Sequence, residues 1–125
     1  MMTWTLTDGK PIWAQLNEQL TLRIATGVYP RGSRMPTVRE LAAEAGVNPN
    51  TMQRALAQLE ADGLVFTTRT TGRTVTENGD VLSKICLRLA HERMAEYLNS
   101  MAVLGFSKRE AIELLEKMED STDGK

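Results

Sequence analysis

The stretch from Pro36 to Val75 constrains this chain most, because two capped helices joined by a short turn and then a hairpin succeed one another there without a break. The first helix opens Thr37-Val38-Arg39-Glu40, a T-x-x-E capping box in which the threonine oxygen accepts the backbone N–H of Glu40 while the glutamate reaches back. Pro36 keeps the chain extended up to that point. Leu41, Ala42 and Ala45 form a short apolar stripe, and Gly46 supplies the positive φ that a tight turn between helices commonly requires. Val47 plugs the turn, and Asn48-Pro49 reads as an N-cap followed by proline at N1, where a missing N–H costs nothing. The second helix then buries Met52, Ala55, Leu56 and Leu59, on one face by their spacing, and ends at Asp62-Gly63.

Its other side presents Asn50, Thr51, Gln53 and Arg54 in the first turns, with Gln58 further on. Asn, Gln and Arg have the donor and acceptor geometry that reads adenine or guanine edges, and a recognition helix reads through its N-terminal turns. A polar face alone is common to surface helices, so the weight falls on the segment after Gly63. It runs Leu64-Val65-Phe66-Thr67-Thr68, then Arg69-Thr70-Thr71-Gly72 as a turn, then Arg73-Thr74-Val75-Thr76 as a returning strand. Helix, turn, helix and hairpin in that order make a winged helix-turn-helix. Between Gly63 and Thr76 there are two arginines and no acidic residue, so the wing is locally cationic and suited to a phosphate backbone or a minor groove.

These residues also carry a resemblance. Pro30-Arg31-Gly32-Ser33-Arg34-Met35-Pro36-Thr37-Val38-Arg39-Glu40-Leu41-Ala42, then Gly46-Val47-Asn48-Pro49-Asn50-Thr51-Met52-Gln53, then Leu59-Glu60-Ala61-Asp62-Gly63-Leu64-Val65 resemble the DNA-binding domain of the GntR transcription regulators. Pro11-Ile12-Trp13-Ala14-Gln15-Leu16 resembles the opening of that domain's first helix, so the match runs over roughly residues 9 to 76. The remainder resembles the two-helix tail of the YtrA-type subgroup. The resemblance implies that Arg39 is directed at the operator, that Arg34 meets phosphate, that Thr51 and Gln53 occupy recognition-helix contact positions, and that Gly72 is the wing-tip glycine. It further implies a dimer, and repression of operons that include ABC-type transporters. The wing departs from the family's usual Gly-x-Gly-Thr-Phe: Thr70 stands in place of the first glycine and Arg73-Thr74 in place of Thr-Phe.

Upstream, Pro11 to Thr26 reads as an amphipathic helix with Ile12, Leu16, Leu20 and Ile24 on one stripe and Gly27 closing it. Trp13 and Tyr29 read as packing residues, since only 5% of the chain is aromatic. Met1 to Lys10 is an extended arm or a disordered end, and Ser121 to Lys125 a frayed one. Downstream, Glu77-Asn78-Gly79-Asp80 begins a long helix to about Val103 whose apolar positions are Leu82, Ile85, Cys86, Leu89, Ala90, Met94, Tyr97, Leu98 and Met101. Gly105-Phe106 ends it as a glycine C′ with a hydrophobic C″. Ser107-Lys108-Arg109-Glu110 is a second capping box, starting a helix in which Ala111, Ile112, Leu115 and Met118 face inward. Two helices alone bury little. The expected isologous homodimer interface uses Leu82, Ile85, Leu89, Tyr97, Leu98, Met101, Ile112 and Leu115; the alternative is that both helices fold back on the winged domain.

The expected fold is therefore mainly α with a small β-hairpin: a winged helix-turn-helix DNA-binding domain over 9 to 76 and a two-helix dimerisation or effector tail over 80 to 120. Lys and Arg number eight against seven acidic residues up to residue 79, and seven against nine beyond it. The net charge of −1 excludes a non-specific nucleic-acid coat, so DNA binding must come from local patches and paired subunits. A lone Cys86 permits no intrachain disulfide and reads as a buried thiol in a reducing cytoplasm. No signal pattern and no apolar run near ~20 residues points to a membrane. Catalysis has no support: His91 is the only histidine, no metal or cofactor site is expected, and Glu92 and Glu96 sit beside Arg88 and Arg93 as a solvated ion-pair face.

As a dimer the chain would meet major-groove segments about one helical turn, ~34 Å, or a multiple apart, so the operator should be an inverted repeat of double-stranded DNA. Arg39 on the first helix and Gln53 on the second are the expected base contacts, with Arg54 next to Gln53; Asn50 and Thr51 open the helix that carries Gln53; Arg34, Arg69 and Arg73 face backbone or minor groove, with Gly72 at the wing tip. Thr37 and Asn48 are caps that could also donate to phosphate. An unidentified small-molecule effector, if sensed, would sit at the dimer interface or between reading head and tail. The competing reading is a winged helix serving as a protein-interaction module, for fold alone does not fix function.

Overall fold

The computed structural model describes residues 4 to 119. Among them are five helices and one antiparallel hairpin: α1 (Ile12–Ala25), α2 (Val38–Ala45), α3 (Pro49–Ala61), β1 (Val65–Thr68), β2 (Gly72–Val75), α4 (Gly79–Val103) and α5 (Lys108–Lys117). Two compact units divide between Cys86 and Leu87.

In the first unit, α3 packs against both α1 and α2. Leu16, Leu20 and Ile24 from α1, Leu41 and Ala42 from α2, and Met52, Ala55, Leu56 and Leu59 from α3 are all buried. Helical spacing puts each set on one side of its helix, and burying a Leu or Met side chain stabilises by roughly 1.5–3 kcal/mol. Ile12, expected on the α1 stripe, is 37% exposed. It is the first residue of the helix, and helical side chains lean toward the N-terminus, so it overhangs the end of the core.

The end of α3 launches the wing. Gly63 adopts φ +79, its N–H donates to Glu60 O (3.0 Å) and Leu64 N–H donates to Leu59 O (3.0 Å). This Schellman turn drops Leu64 into the core, fully buried, immediately before β1. The hairpin pairs Val65 with Val75, Phe66 with Thr74, Thr67 with Arg73 and Thr68 with Gly72. Side chains alternate across a strand, so Val65, Thr67, Arg73 and Val75 share one face and Phe66 and Thr74 the other. Val65 and Val75 are buried, which identifies the first face as the inner one.

The described part of the arm, from Trp4, is hydrogen-bonded to α1. Two glutamines one turn apart hold it: Gln19 Oε1 accepts Thr5 N–H (3.0 Å) and Gln15 Oε1 accepts Thr7 N–H (2.8 Å). Each also donates back, Gln19 Nε2 to Thr5 O and Gln15 Nε2 to Thr7 O and Lys10 O. The carboxamides thereby imitate a neighbouring strand. One further turn along, buried Arg23 lies 4.0 Å under the Trp4 ring and donates to Tyr29 Oη (2.7 Å) and Glu44 Oε1 (3.1 Å). Met1 to Thr3 and the expected frayed end at Ser121 to Lys125 lie outside the described residues.

The α4 helix ends as its sequence implies, with Gly105 at φ +96 and Phe106 N–H donating to Met101 O (2.9 Å). Its burial is narrower than the broad stripe expected: Ile85 and Leu89 are buried, Leu82, Tyr97, Leu98 and Met101 half-buried, and Cys86, Ala90 and Met94 exposed. Cys86 is thus not a buried thiol; it lies about 100° round the helix from Ile85, with its Sγ 3.8 Å from Ala25 O. In the second unit α5 opens on the predicted capping box, Ser107 with Glu110. Ala111 is buried, while Ile112, Leu115 and Met118, expected to face inward, are exposed because two helices supply too few atoms to cover them.

Candidate nucleic-acid interface

The site is assembled by α2, the start of α3 and the wing. Glu40 N–H donates to Thr37 Oγ1 (3.1 Å) and Thr37 N–H to Glu40 Oε1 (2.8 Å), so the capping box is closed in both directions. The threonine oxygen is spent as acceptor, but its own O–H remains available to donate. Asn48 is placed alike: Oδ1 accepts Asn50 N–H (2.7 Å), leaving the NH₂ group as donors at the start of α3. Capping therefore leaves donor atoms of both side chains unused.

Gly32 to Met35 runs antiparallel beside β2. Gly32 N–H donates to Val75 O (3.0 Å), Val75 N–H to Ser33 O (2.8 Å) and Met35 N–H to Arg73 O (2.8 Å), with Arg34 bridged to Thr74. Buried Met35 anchors the segment, and the Arg34 side chain stays exposed. It passes over Gly72, whose missing Cβ would meet Arg34 Nε at 3.9 Å. Arg34, Thr37, Arg39, Gly72 and Arg73, together with Met35, Pro36 and Val38, line one shallow cleft of about 400 Å³. Five residues chosen from sequence thus converge, although 38 positions separate Arg34 from Gly72 along the chain and only the strand pairing folds them together.

On α3, Asn50 and Gln53 are exposed and Thr51 is half-buried. Ala57, also exposed, continues the row of Asn50 and Gln53, so a small residue succeeds the two polar ones along that face. Arg54 adjoins the row beside Asn50, its guanidinium 4.3 Å from the centroid of the Trp13 ring. Arg69 is exposed in the wing turn. That turn tolerates Thr70: among the described residues no side-chain-bearing residue has positive φ, and Gly72, at φ +75, takes the left-handed position. Thr71 N–H donates to Thr68 Oγ1 (3.2 Å), closing the tip with threonines.

Arg73 is held on the inner face, its side chain 17% exposed and its Nε 3.9 Å from Glu60 Oε1. Glu60 also accepts from Thr67 Oγ1 (2.9 Å). The wing sequence contains no acid, yet the fold brings one to its base from the last turn of α3. Sequence reasoning missed Glu60, and also the Trp13 partnership with Arg54; a helix-end acid five residues before a strand was the available signal for the first.

The comparisons with known proteins agree with this geometry. The family model described as bacterial regulatory proteins, gntR family, matches residues 13–75, half of the chain. The chain belongs to the GntR family. This GntR-family chain is 32% identical over 106 residues to the uncharacterized HTH-type transcriptional regulator YhcF of Bacillus subtilis, covering 85% of the chain and 88% of the relative. It is 37% identical over 68 residues to the HTH-type transcriptional repressor YtrA of the same organism, covering 54% of the chain and 52% of YtrA. A solved GntR family transcriptional regulator from Listeria monocytogenes superposes with a TM-score of 0.81 at 34% identity, covering 91% of this chain and all of that one. The GntR chain is accordingly a DNA-binding transcription regulator with a winged helix-turn-helix.

Proposed function

We propose that this GntR regulator is a repressor in the cytoplasm, not an enzyme, that binds an inverted-repeat operator as a homodimer, with residues 9 to 76 reading DNA and 80 to 120 pairing the subunits. The observation that carries the DNA side is the single cleft where Arg34, Thr37, Arg39 and Gly72 meet, beside the row of Asn50 and Gln53. Arg34, Arg69 and the free donors of Thr37 and Asn48 serve the phosphates; Arg39, Gln53 and Asn50 serve base edges, with Thr51 at their margin. The repressor reading is supported by the likeness to YtrA, itself a transcriptional repressor. Occupying promoter DNA is sufficient for it.

Pairing is supported by the apolar surface of the second unit. Val103 is 87% and Leu104 71% exposed, and Phe106, Ile112, Leu114, Leu115 and Met118 are exposed with them. An exposed apolar set of this size on one small unit marks an interaction surface. Of the interface residues expected from sequence, Ile85 and Leu89 are already buried in the protomer, which leaves Leu82, Tyr97, Leu98, Met101, Ile112 and Leu115 to meet a partner. A small effector bound within such a dimer would act by changing the spacing of the two reading heads.

Selection of bound duplexes from a randomised pool, with sedimentation of the same sample, tests the whole reading. Enrichment of an inverted repeat by a two-subunit species, weakening steeply with salt, is the expected result. A monomer at micromolar concentration removes the homodimer, and failure to enrich any sequence favours the protein-interaction module instead.

A further inference from the structure

Arg54 occupies a position on α3 that a base reader would share, but its surroundings give it a different task. Its guanidinium centre lies 4.3 Å from the Trp13 ring centroid, within cation–π range. Among the described residues it makes no ion pair and no side-chain hydrogen bond, and it is exposed. Trp13 itself is half-buried at the second position of α1. One turn further along α1, Asn17 Nδ2 donates to the carbonyl oxygen of Ala55, the residue after Arg54 (3.1 Å), so the two helices are fixed in register at this point.

We propose that Trp13 is a positioning residue for DNA binding, holding Arg54 as a phosphate clamp on the α1 flank of the recognition helix. Stacking occupies the face of the guanidinium and leaves the N–H donors on its edge unused. Successive helical residues point about 100° apart, so Arg54 diverges from Gln53 toward α1 and stands beside Asn50, on the α1 side of the row that Asn50, Gln53 and Ala57 form. A planar donor fork at the margin of a groove-entering helix suits a phosphodiester, which carries the affinity common to all sequences. The inference rests on the DNA-binding reading and assigns within it a contact that reads no bases.

Affinities for the selected operator and for a random duplex of equal length, each measured across a salt series, test it. Arg54→Ala is expected to weaken both duplexes alike, on the order of ten-fold, and to flatten the logarithmic salt slope by about 0.9. Trp13→Leu is expected to lose part of that affinity on both duplexes, Trp13→Phe to restore it by keeping an aromatic face, and Trp13→Leu to add nothing in the Arg54→Ala protein. Arg54→Lys keeps the charge without the planar fork, so it should retain most of the salt slope while losing part of the affinity on both duplexes alike; this variant leaves α1 untouched should Trp13→Leu fold poorly. A loss confined to the operator would make Arg54 a base reader and overturn the proposal, as would equal effects of Trp13→Leu with and without Arg54. If the parent protein binds neither duplex, the DNA reading fails first; if the parent binds and Arg54→Ala is neutral, only this assignment fails.

Discussion

Thr37 offers the sharpest separation of structure from recognition, because its oxygen accepts from Glu40 N–H at 3.1 Å while its hydroxyl proton stays free beside the arginines of the cleft. Three substitutions divide these roles. Thr37→Ser keeps acceptor and donor. Thr37→Gly removes both atoms, yet glycine at an N-cap costs only a few tenths of a kcal/mol relative to threonine, because solvent reaches the bared N–H groups. Thr37→Ala loses the hydroxyl and the cap together, at about 1 kcal/mol, which lowers the melting temperature of a reading head this size by about 4–8 °C.

If the hydroxyl donates to a phosphate, both Gly and Ala forfeit a hydrogen bond to a charged acceptor. Such bonds contribute about 1.5–3 kcal/mol, or roughly ten-fold to a hundred-fold in affinity. The expected order of stability is parent and Ser, then Gly, then Ala. For DNA affinity it is parent and Ser, then Gly and Ala together. Thermal melts and anisotropy titrations on the same four proteins give both orders. A glycine variant that binds operator as tightly as the parent would show that Thr37 is a helix cap and nothing more.

The remaining expectations concern the arm and the wing. Gln15→Ala removes three hydrogen bonds from a carboxamide on a 6% exposed residue; with water partly replacing them at the exposed backbone, the loss should be about 2 kcal/mol, and amide exchange at Thr7 should accelerate, whereas a melt within a degree of the parent would show that the arm adds no stability. Arg73→Ala should lower stability by up to ~1 kcal/mol, the scale of a partly exposed ion pair, and leave the salt slope of DNA binding unchanged; a slope flattened by about 0.9 would return Arg73 to the phosphate contacts.

Whatever near neighbours govern could be read along the chain. Thr37 with Glu40, Ser107 with Glu110, Asn48 before Pro49, and Gly63 and Gly105 past their helices are each decided within a few residues, and each took the expected form. Burial on α2 and α3 was equally legible, since a 3.6-residue period determines which side chains share a face. Ile12, Cys86 and the outer side of α5 were not, because periodicity says which residues share a face and not whether anything lies opposite it. The arm was undecidable for a related reason. Its order depends on Gln15, Gln19 and Arg23, polar residues that a search for apolar spacing passes over.

The same distinction explains why the charge of the interface could be guessed and its direction could not. Counting residues gives the wing two arginines and no acid, but Arg73 stands opposite Thr67 on the face shared with buried Val75, and alternation along the strand turns it toward Glu60. Arg34 pairs with Thr74 on the other face and remains free, although nothing in its own neighbourhood marks it as a strand residue. A shift of one residue in the β2 register would exchange these two outcomes, burying what is now offered and exposing what is now paired. The register is secured by Val65 and Val75, both buried, and by the Gly72 turn. Apolar side chains inside the fold therefore select which arginine is offered to solvent.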